Sequence, residues 1–265
     1  MTFVNILIPF LAAILGGTLN SVAGGGSFIT FPALIYANVL PKLANATSTA
    51  ALWPGSVASS WAFRKELVKQ NKLLVLILVI TSLIGGVGGA ILLLATPQET
   101  FVRLIPFLLL AATLLFAFSP LVNRQLKQFA INRKKAGTDS NLSWAVLSRV
   151  AVLQLIIAIY GGYFGGGIGI LMLASLGLLG MENIHEMNAI KNVLASCING
   201  VAVVTFIIAG AVVWPNALTM VVGAIIGGFG GAYYARKLDP KFIRGFVILV
   251  GCVITLYFLF KYNFL

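Results

Sequence analysis

The sequence predicts an all-α polytopic membrane protein built from two copies of one bundle. Three observations predict it: a composition far too apolar for a water-facing surface, bilayer-length apolar segments, and a glycine pattern written twice. Of 265 residues, 60% are hydrophobic and only 9% charged, with a mean hydropathy of +1.02. A soluble domain carries roughly a quarter charged residues. Long apolar segments run at 72–95, 104–122, 188–213 and 245–260, and helices rather than a barrel fit such lengths. Gly24, Gly25 and Gly26 recur as Gly165, Gly166 and Gly167, and the run Gly85 to Gly89 recurs as Gly227 to Gly231. The copies lie about 142 residues apart.

Each copy reads as five segments. In the first they are 3–22, a short 27–40, 44–63, 72–95 and 100–122; in the second 144–163, 168–180, 188–209, 213–235 and 241–261. The amino-terminal segment has no Lys or Arg ahead of it, unlike the charged start of a secretory signal, and is read as a retained first helix. Between the copies, 123–143 has the composition of a loop. The organisation is therefore a first membrane repeat at 1–122, a cytoplasmic linker at 123–143 and a second membrane repeat at 144–265.

Charge assigns orientation. The net charge of +12 comes mostly from short loops: Arg64, Lys65, Lys69 and Lys72 in one, and Arg124, Lys127, Arg133, Lys134 and Lys135 in another. Basic loops are retained on the cytoplasmic side. In the first copy the loop at 64–72 is basic and that at 96–100 has no cation; in the second the loop near 209–216 is uncharged and Arg236 to Lys241 is basic. Equivalent loops thus fall on opposite sides, which makes the repeats inverted and requires an odd number of crossings in each. The segments at 27–40 and 168–180 are shorter than the roughly 20 residues of a full crossing, so the count is eight to ten segments, with the one after each glycine triplet short or re-entrant. No aromatic platform accompanies the basic clusters, which argues against nucleic acid as a partner. Cys197 and Cys252 stand alone in apolar segments, without CxxC spacing or a His cluster.

Duplicated bundles with broken, glycine-interrupted segments are the pattern of secondary transporters, with the break at the site. After each triplet a short helix is expected, from Ser27 and from Ile168. Each start leaves unpaired backbone N–H groups that favour an anion. The later runs, Gly85 to Gly89 and Gly227 to Gly231, sit inside uninterrupted segments and read as packing devices. The third segments carry matched polar stripes: Asn45, Ser48, Thr49 and Ser56 align with Asn188, Lys191, Asn192 and Asn199. Such stripes either line a cavity between the repeats or hydrogen-bond neighbouring helices. Lys191 is the basic residue placed well inside an apolar segment, about two turns in. None of the six acidic residues falls in an apolar run, so an anionic substrate is the partner the lysine lacks. The same absence, with a single histidine, His185, in a short loop, leaves no metal site. The candidate site is Asn20, Ser21, Gly24, Gly25, Gly26, Ser27, Asn45, Ser48, Thr49, Gly165, Gly166, Gly167, Asn188, Lys191, Asn192 and Asn199. No catalytic residue, metal ligand or cofactor is expected. An enzyme or redox relay lacks a buried base, carboxylate pair or CxxC, while a channel on the same fold stays open.

The stretch from Gly16 to Leu34, with its Asn20-Ser21-Val22-Ala23-Gly24-Gly25-Gly26-Ser27 core, resembles the glycine-rich first motif of the sulfite exporter TauE/SafE family. Asn45-Ala46-Thr47-Ser48 is similar to the next motif of that family along the chain. Tyr160 to Gly169 and Asn188-Ala189-Ile190-Lys191-Asn192 resemble the second-half counterparts. This resemblance covers nearly the whole chain. It implies a prokaryotic inner-membrane carrier of small sulfur-containing anions such as sulfite, sulfonates or sulfoacetate, with the lipid bilayer and the anion as its partners. Substrate, direction and oligomeric state are not fixed by it.

Overall fold

The computed structural model describes residues 4–22, 25–135, 144–179, 181, 183–235 and 240–261. Among them, every regular element is a helix. In chain order these are α1 (Val4–Val22), α2 (Ser27–Tyr36), α3 (Pro41–Ala62), α4 (Arg64–Leu67), α5 (Lys72–Ala95), α6 (Gln98–Lys135), α7 (Trp144–Tyr163), α8 (Ile168–Leu178), α9 (Ile184–Ile208), α10 (Trp214–Ala235) and α11 (Pro240–Lys261). Lys72–Ala95, Gln98–Leu121 and Ile184–Ile208 are each long and apolar enough to cross a bilayer, and shorter apolar helices surround them. Large apolar side chains face outward along whole helices, for example Leu76, Ile80, Ile84 and Ile91 on α5 and Leu218, Val222 and Ile226 on α10. Water does not tolerate such faces, whereas acyl chains do. The protein is an all-α polytopic membrane protein.

The two short helices begin at Ser27 and Ile168, directly after the glycine triplets. Several boundaries differ from the sequence reading: residues 37–40, read into the second segment, follow the end of α2, and residues 41–43, read as a connection, open α3. The stretch 123–135, read as loop, continues α6 to Lys135; its Gln, Leu, Lys, Ala and Arg residues are good helix formers despite their polarity. An extra short helix, α4, forms inside the basic loop. His185 and Glu186, read as loop, lie in the first turn of α9. There Asn183 caps the helix: its side chain accepts from the His185 N–H at 3.0 Å and donates to Glu186 Oε1 at 3.2 Å, which satisfies one free N–H of the first turn. The chain between α6 and α7 and the segment Arg236 to Asp239 lie outside the described residues.

Helix pairing is reciprocal. Leaving α4 aside, α1 to α6 and α7 to α11 are five helices each, and the first of each set packs on the fourth of the other: α1 on α10, and α7 on α5. Likewise α3 packs on α10 as α9 packs on α5, and α2 on α11 as α8 on α6. Glycines make the first two contacts possible. A methyl group on Gly89 would overlap the Ile159 carbonyl of α7, and one on Gly227 would overlap the Ile14 carbonyl of α1. Gly162 and Gly17 meet the partner backbone in the same way, at Gly86 and Ala224. These are the close helix approaches that small residues permit in membranes.

Chain directions are set by the pairs that touch. Asn5 meets Asn216, Phe10 meets Gly223 and Ile14 meets Gly227, so α1 and α10 are parallel. Ser82 meets Gln154 and Gly85 meets Ala158, so α5 and α7 are parallel. Ser60 meets Ser196 while Trp53 meets Gly200, so α3 and α9 are antiparallel. Lys42, one residue into α3, donates to the Leu94 and Thr96 carbonyls at the end of α5, at 2.8 and 2.6 Å, and the Val213 N–H before α10 donates to Thr47 Oγ1 at 3.0 Å. One face of the bundle therefore gathers the starts of α3 and α10 and the end of α5. The opposite, basic face carries the end of α3, the basic loop and the starts of α5, α7 and α9. Consequently α1 enters from one face and α7 from the other.

Candidate functional site

A small cavity of ≈ 60 Å³ lies where α3 and α9 cross beside the two glycine breaks. From α3 it takes Thr49, Leu52, Ser56 and Ser59, which fall on one helical face. From α9 it takes Lys191, Asn192, Ala195 and Asn199. The breaks contribute Gly25, Gly26 and Ser27 on one side and Gly165, Gly166, Ile168 and Gly169 on the other, with Asn20 and Phe164 completing the wall. Space of this size takes about four waters or one compact solute.

Local sequence explains how each break is held. Gly165 and Gly167 have φ of +79° and +76°, a region that costs other L-residues roughly 1–2 kcal/mol. This turn lets α7 end and α8 begin within four residues. The Tyr160 hydroxyl fixes the turn by donating to the Gly166 carbonyl at 2.7 Å. The first break works otherwise: Gly26 has φ −56° and is right-handed. It is required by proximity, since a methyl group there would overlap the Gly16 carbonyl. Neither α2 nor α8 has a side-chain cap on its first turn. The first turns are closed instead by backbone bonds, from the Phe28 and Ile29 N–H groups to the Gly25 and Gly26 carbonyls and from Ile170 to Gly167, and two helix starts with positive dipole ends thus border the same cavity.

The lining repeats the twofold pattern of the sequence. Thr49 and Asn192, Leu52 and Ala195, and Ser56 and Asn199 are equivalent by the sequence offset, and all six line the cavity. Charge breaks this likeness: Lys191 stands where the first copy has Ser48. It is half-buried, seven residues into α9, about 10 Å along the helix. Among the described residues no hydrogen bond or ion pair engages Lys191, Asn20, Asn192 or Asn199. The cavity lining holds no carboxylate. What converges is one cation, three amide side chains, four hydroxyls and two helix starts, a set rich in donors.

Of the sequence-predicted residues, Asn20, Gly25, Gly26, Ser27, Thr49, Gly165, Gly166, Lys191, Asn192 and Asn199 come together here. Asn45, Ser48, Gly167 and Asn188 do not line the cavity. Asn45 Nδ2 donates to the Tyr163 carbonyl at 3.0 Å, and Ser48 pairs with the Thr30 hydroxyl at 2.6 Å, both buried. Gly167 caps α8 beside Ala112 and Leu115 of α6. The side chain of Ser21 and the whole of Gly24 lie outside the described residues. Leu52, Ser59, Phe164, Ile168, Gly169 and Ala195 were missed, and Ser56, placed on the polar stripe but outside the candidate set, also lines the cavity. Ser59 had a readable signal: it lies three residues beyond Ser56 on the polar face of α3. Among the described residues no group of three or more His, Cys, Asp or Glu side chains is arranged to hold a metal ion.

Comparison with known proteins places the chain. The family described as sulfite exporter TauE/SafE matches residues 9–258. A probable membrane transporter protein of Haemophilus influenzae is 27% identical over 252 residues, spanning 94% of this chain and 92% of the relative. The probable membrane transporter protein YfcA of Escherichia coli K12 is 27% identical over 94% of this chain and 87% of its own length. The corresponding figures for the probable membrane transporter protein YunE of Bacillus subtilis are 27%, 95% and 97%. No solved structure matches the chain. With nearly its whole length matched, the chain belongs to the sulfite exporter TauE/SafE family.

Proposed function

We propose that this membrane transporter is a secondary carrier of a small sulfur-containing anion such as sulfite or an organosulfonate, working as an exporter in the cytoplasmic membrane. The observation that carries this reading is Lys191: an ammonium group at membrane depth, in a donor-lined cavity with no carboxylate among its lining residues. An ionisable group placed there marks a substrate path by default. An anion supplies the charge it lacks, and the amides, hydroxyls and helix starts supply hydrogen bonds to its oxygens. The size of the cavity favours a solute of a few heavy atoms. The family description, sulfite exporter, is the support for sulfur chemistry and for outward direction.

The mechanism we propose is alternating access between two inverted repeats. Supporting it are the reciprocal helix pairs, the opposite entry faces of α1 and α7, and the position of the cavity on the α3–α9 crossing that relates the two copies. Rocking of one set of helices against the other about that crossing would expose the site to each face in turn. The membrane potential, negative inside, would drive an anion outward. Counterflow in proteoliposomes tests the reading. Internal unlabelled substrate should accelerate entry of labelled sulfite, and Lys191→Met should abolish it; a flux that neither saturates nor shows counterflow would indicate a channel instead.

A further inference from the structure

We infer that Asn45 and Asn188 are reciprocal latches, one for each face of the membrane, and that the conformation described here has the first latched and the second released. The inference rests on the inverted-repeat reading and extends it to named residues. Asn45 lies four residues after the start of α3, and Asn188 four residues after the start of α9. They are equivalent positions of the two copies, set near opposite faces because α3 and α9 are antiparallel. Asn45 is buried, and its amide donates across the repeats to the carbonyl of Tyr163, the last residue of α7. By the same equivalence Asn188 would donate to the carbonyl at the last turn of α1, which ends at Val22. Among the described residues Asn188 is half-buried and makes no side-chain hydrogen bond or ion pair. One of two matched donors is engaged and the other is idle.

The cavity shows the same asymmetry. It reaches Ser59, about 5 Å from the end of α3 at the basic face, but stops at Thr49, about 12 Å from the start of α3 at the other. The α9 residues equivalent to Ser59 and Ser60 are Ala202 and Val203, which are 0% and 4% exposed. Phe206, the next turn along, is fully buried. The seam between α3 and α9 is thus polar and open toward the basic face, and apolar and closed toward the face that Asn45 secures. Exchanging the roles of the two copies would release Asn45, engage Asn188, close the seam at Ser59 and open it at Ala202.

Single reporter cysteines test this in full-length protein reconstituted in proteoliposomes, with Cys197 and Cys252 replaced by Ala. Ser59→Cys reports opening at the basic face and Ala202→Cys opening at the other, each read as the rate of reaction with a membrane-impermeant maleimide applied from that face. Asn45→Ala removes a bond from the described conformation only. It should raise labelling of the Ala202→Cys reporter about fivefold and lower that of Ser59→Cys, the shift expected from one buried hydrogen bond. Asn188→Ala removes a bond from the opposite conformation only, and should shift both reporters the other way. Equal or same-direction shifts from the two Asn substitutions overturn the latch assignment, because a structural role alone has no sign. If the reporters instead fail to respond in opposite directions to saturating sulfite in the unsubstituted background, the alternating-access reading beneath it falls. Should Asn45→Ala not fold, the sign of the Asn188→Ala shift decides.

Discussion

Trp53 and Ser196 hold equivalent positions in the two copies, and they touch: the Trp53 indole N–H donates to the Ser196 carbonyl at 3.1 Å. Their contact marks the α3–α9 crossing, and Gly200 leaves the room the indole fills, since a methyl group there would lie 3.0 Å from Trp53 Nε1. One turn from this contact on each helix, Ser56 and Asn199 face the cavity. The cavity is therefore built against the contact that joins α3 and α9, so in the proposed mechanism any motion between these helices is felt at the substrate.

Gly200→Ala forces the indole to shift, and the expected result is a carrier that still inserts and binds but moves substrate several-fold more slowly. Exchange rates with binding affinity measured in parallel separate the two. Loss of affinity with unchanged exchange would remove the crossing from the moving parts.

Packing glycines and open glycines should respond oppositely to alanine. Gly89→Ala and Gly227→Ala place a methyl group in backbone and should each destabilise by about 1–3 kcal/mol. Gly88→Ala and Gly228→Ala meet nothing within 4 Å and should be neutral or stabilise by up to about 1 kcal/mol. Thermal unfolding in detergent reads both.

Two lysines in the same bundle should separate stability from transport. Lys42 stabilises the end of α5 through the Leu94 and Thr96 carbonyls, a helix terminus that favours a cation. Lys42→Met should cost about 1–2 kcal/mol of stability and leave residual transport saturating at an unchanged substrate concentration.

Substitutions within the polar stripes of α3 and α9 should divide in the same way. Ser48→Ala removes the buried bond to Thr30 and should lower stability by about 1 kcal/mol with little change in KM. Asn192→Ala, on the cavity, should raise KM with little change in stability. Parallel melting curves and uptake kinetics check the pair.

Much of this architecture was legible because membranes restrict the choices. Apolar length marked the helices, and the glycine triplets marked the starts of α2 and α8 to the residue. The extension of α6 to Lys135 was hidden because polarity alone does not separate a loop from a solvated helix. The start of α9 was hidden because the polar residues His185 and Glu186 read as loop, whereas the Asn183 cap places them in the first turn. At the site, periodicity placed Asn45, Ser48, Thr49 and Ser56 on one face of α3 but carried no information about which neighbour each would meet. Asn45 and Ser48 met α7 and α2, while Thr49 and Ser56 met open space. Lys42 gave no sign of its role, because its partners are backbone carbonyls some 50 residues away in sequence.

The most direct test of the central claim is sulfite binding and counterflow by purified wild-type protein and Lys191→Met, compared at matched folding. The account predicts stabilisation and counterflow by sulfite in the wild type. It predicts at least a thirtyfold loss of both in the variant, about the cost of leaving a charged partner unmatched, with an unchanged melting temperature in the absence of anion. Equal binding and counterflow in the two proteins would contradict it.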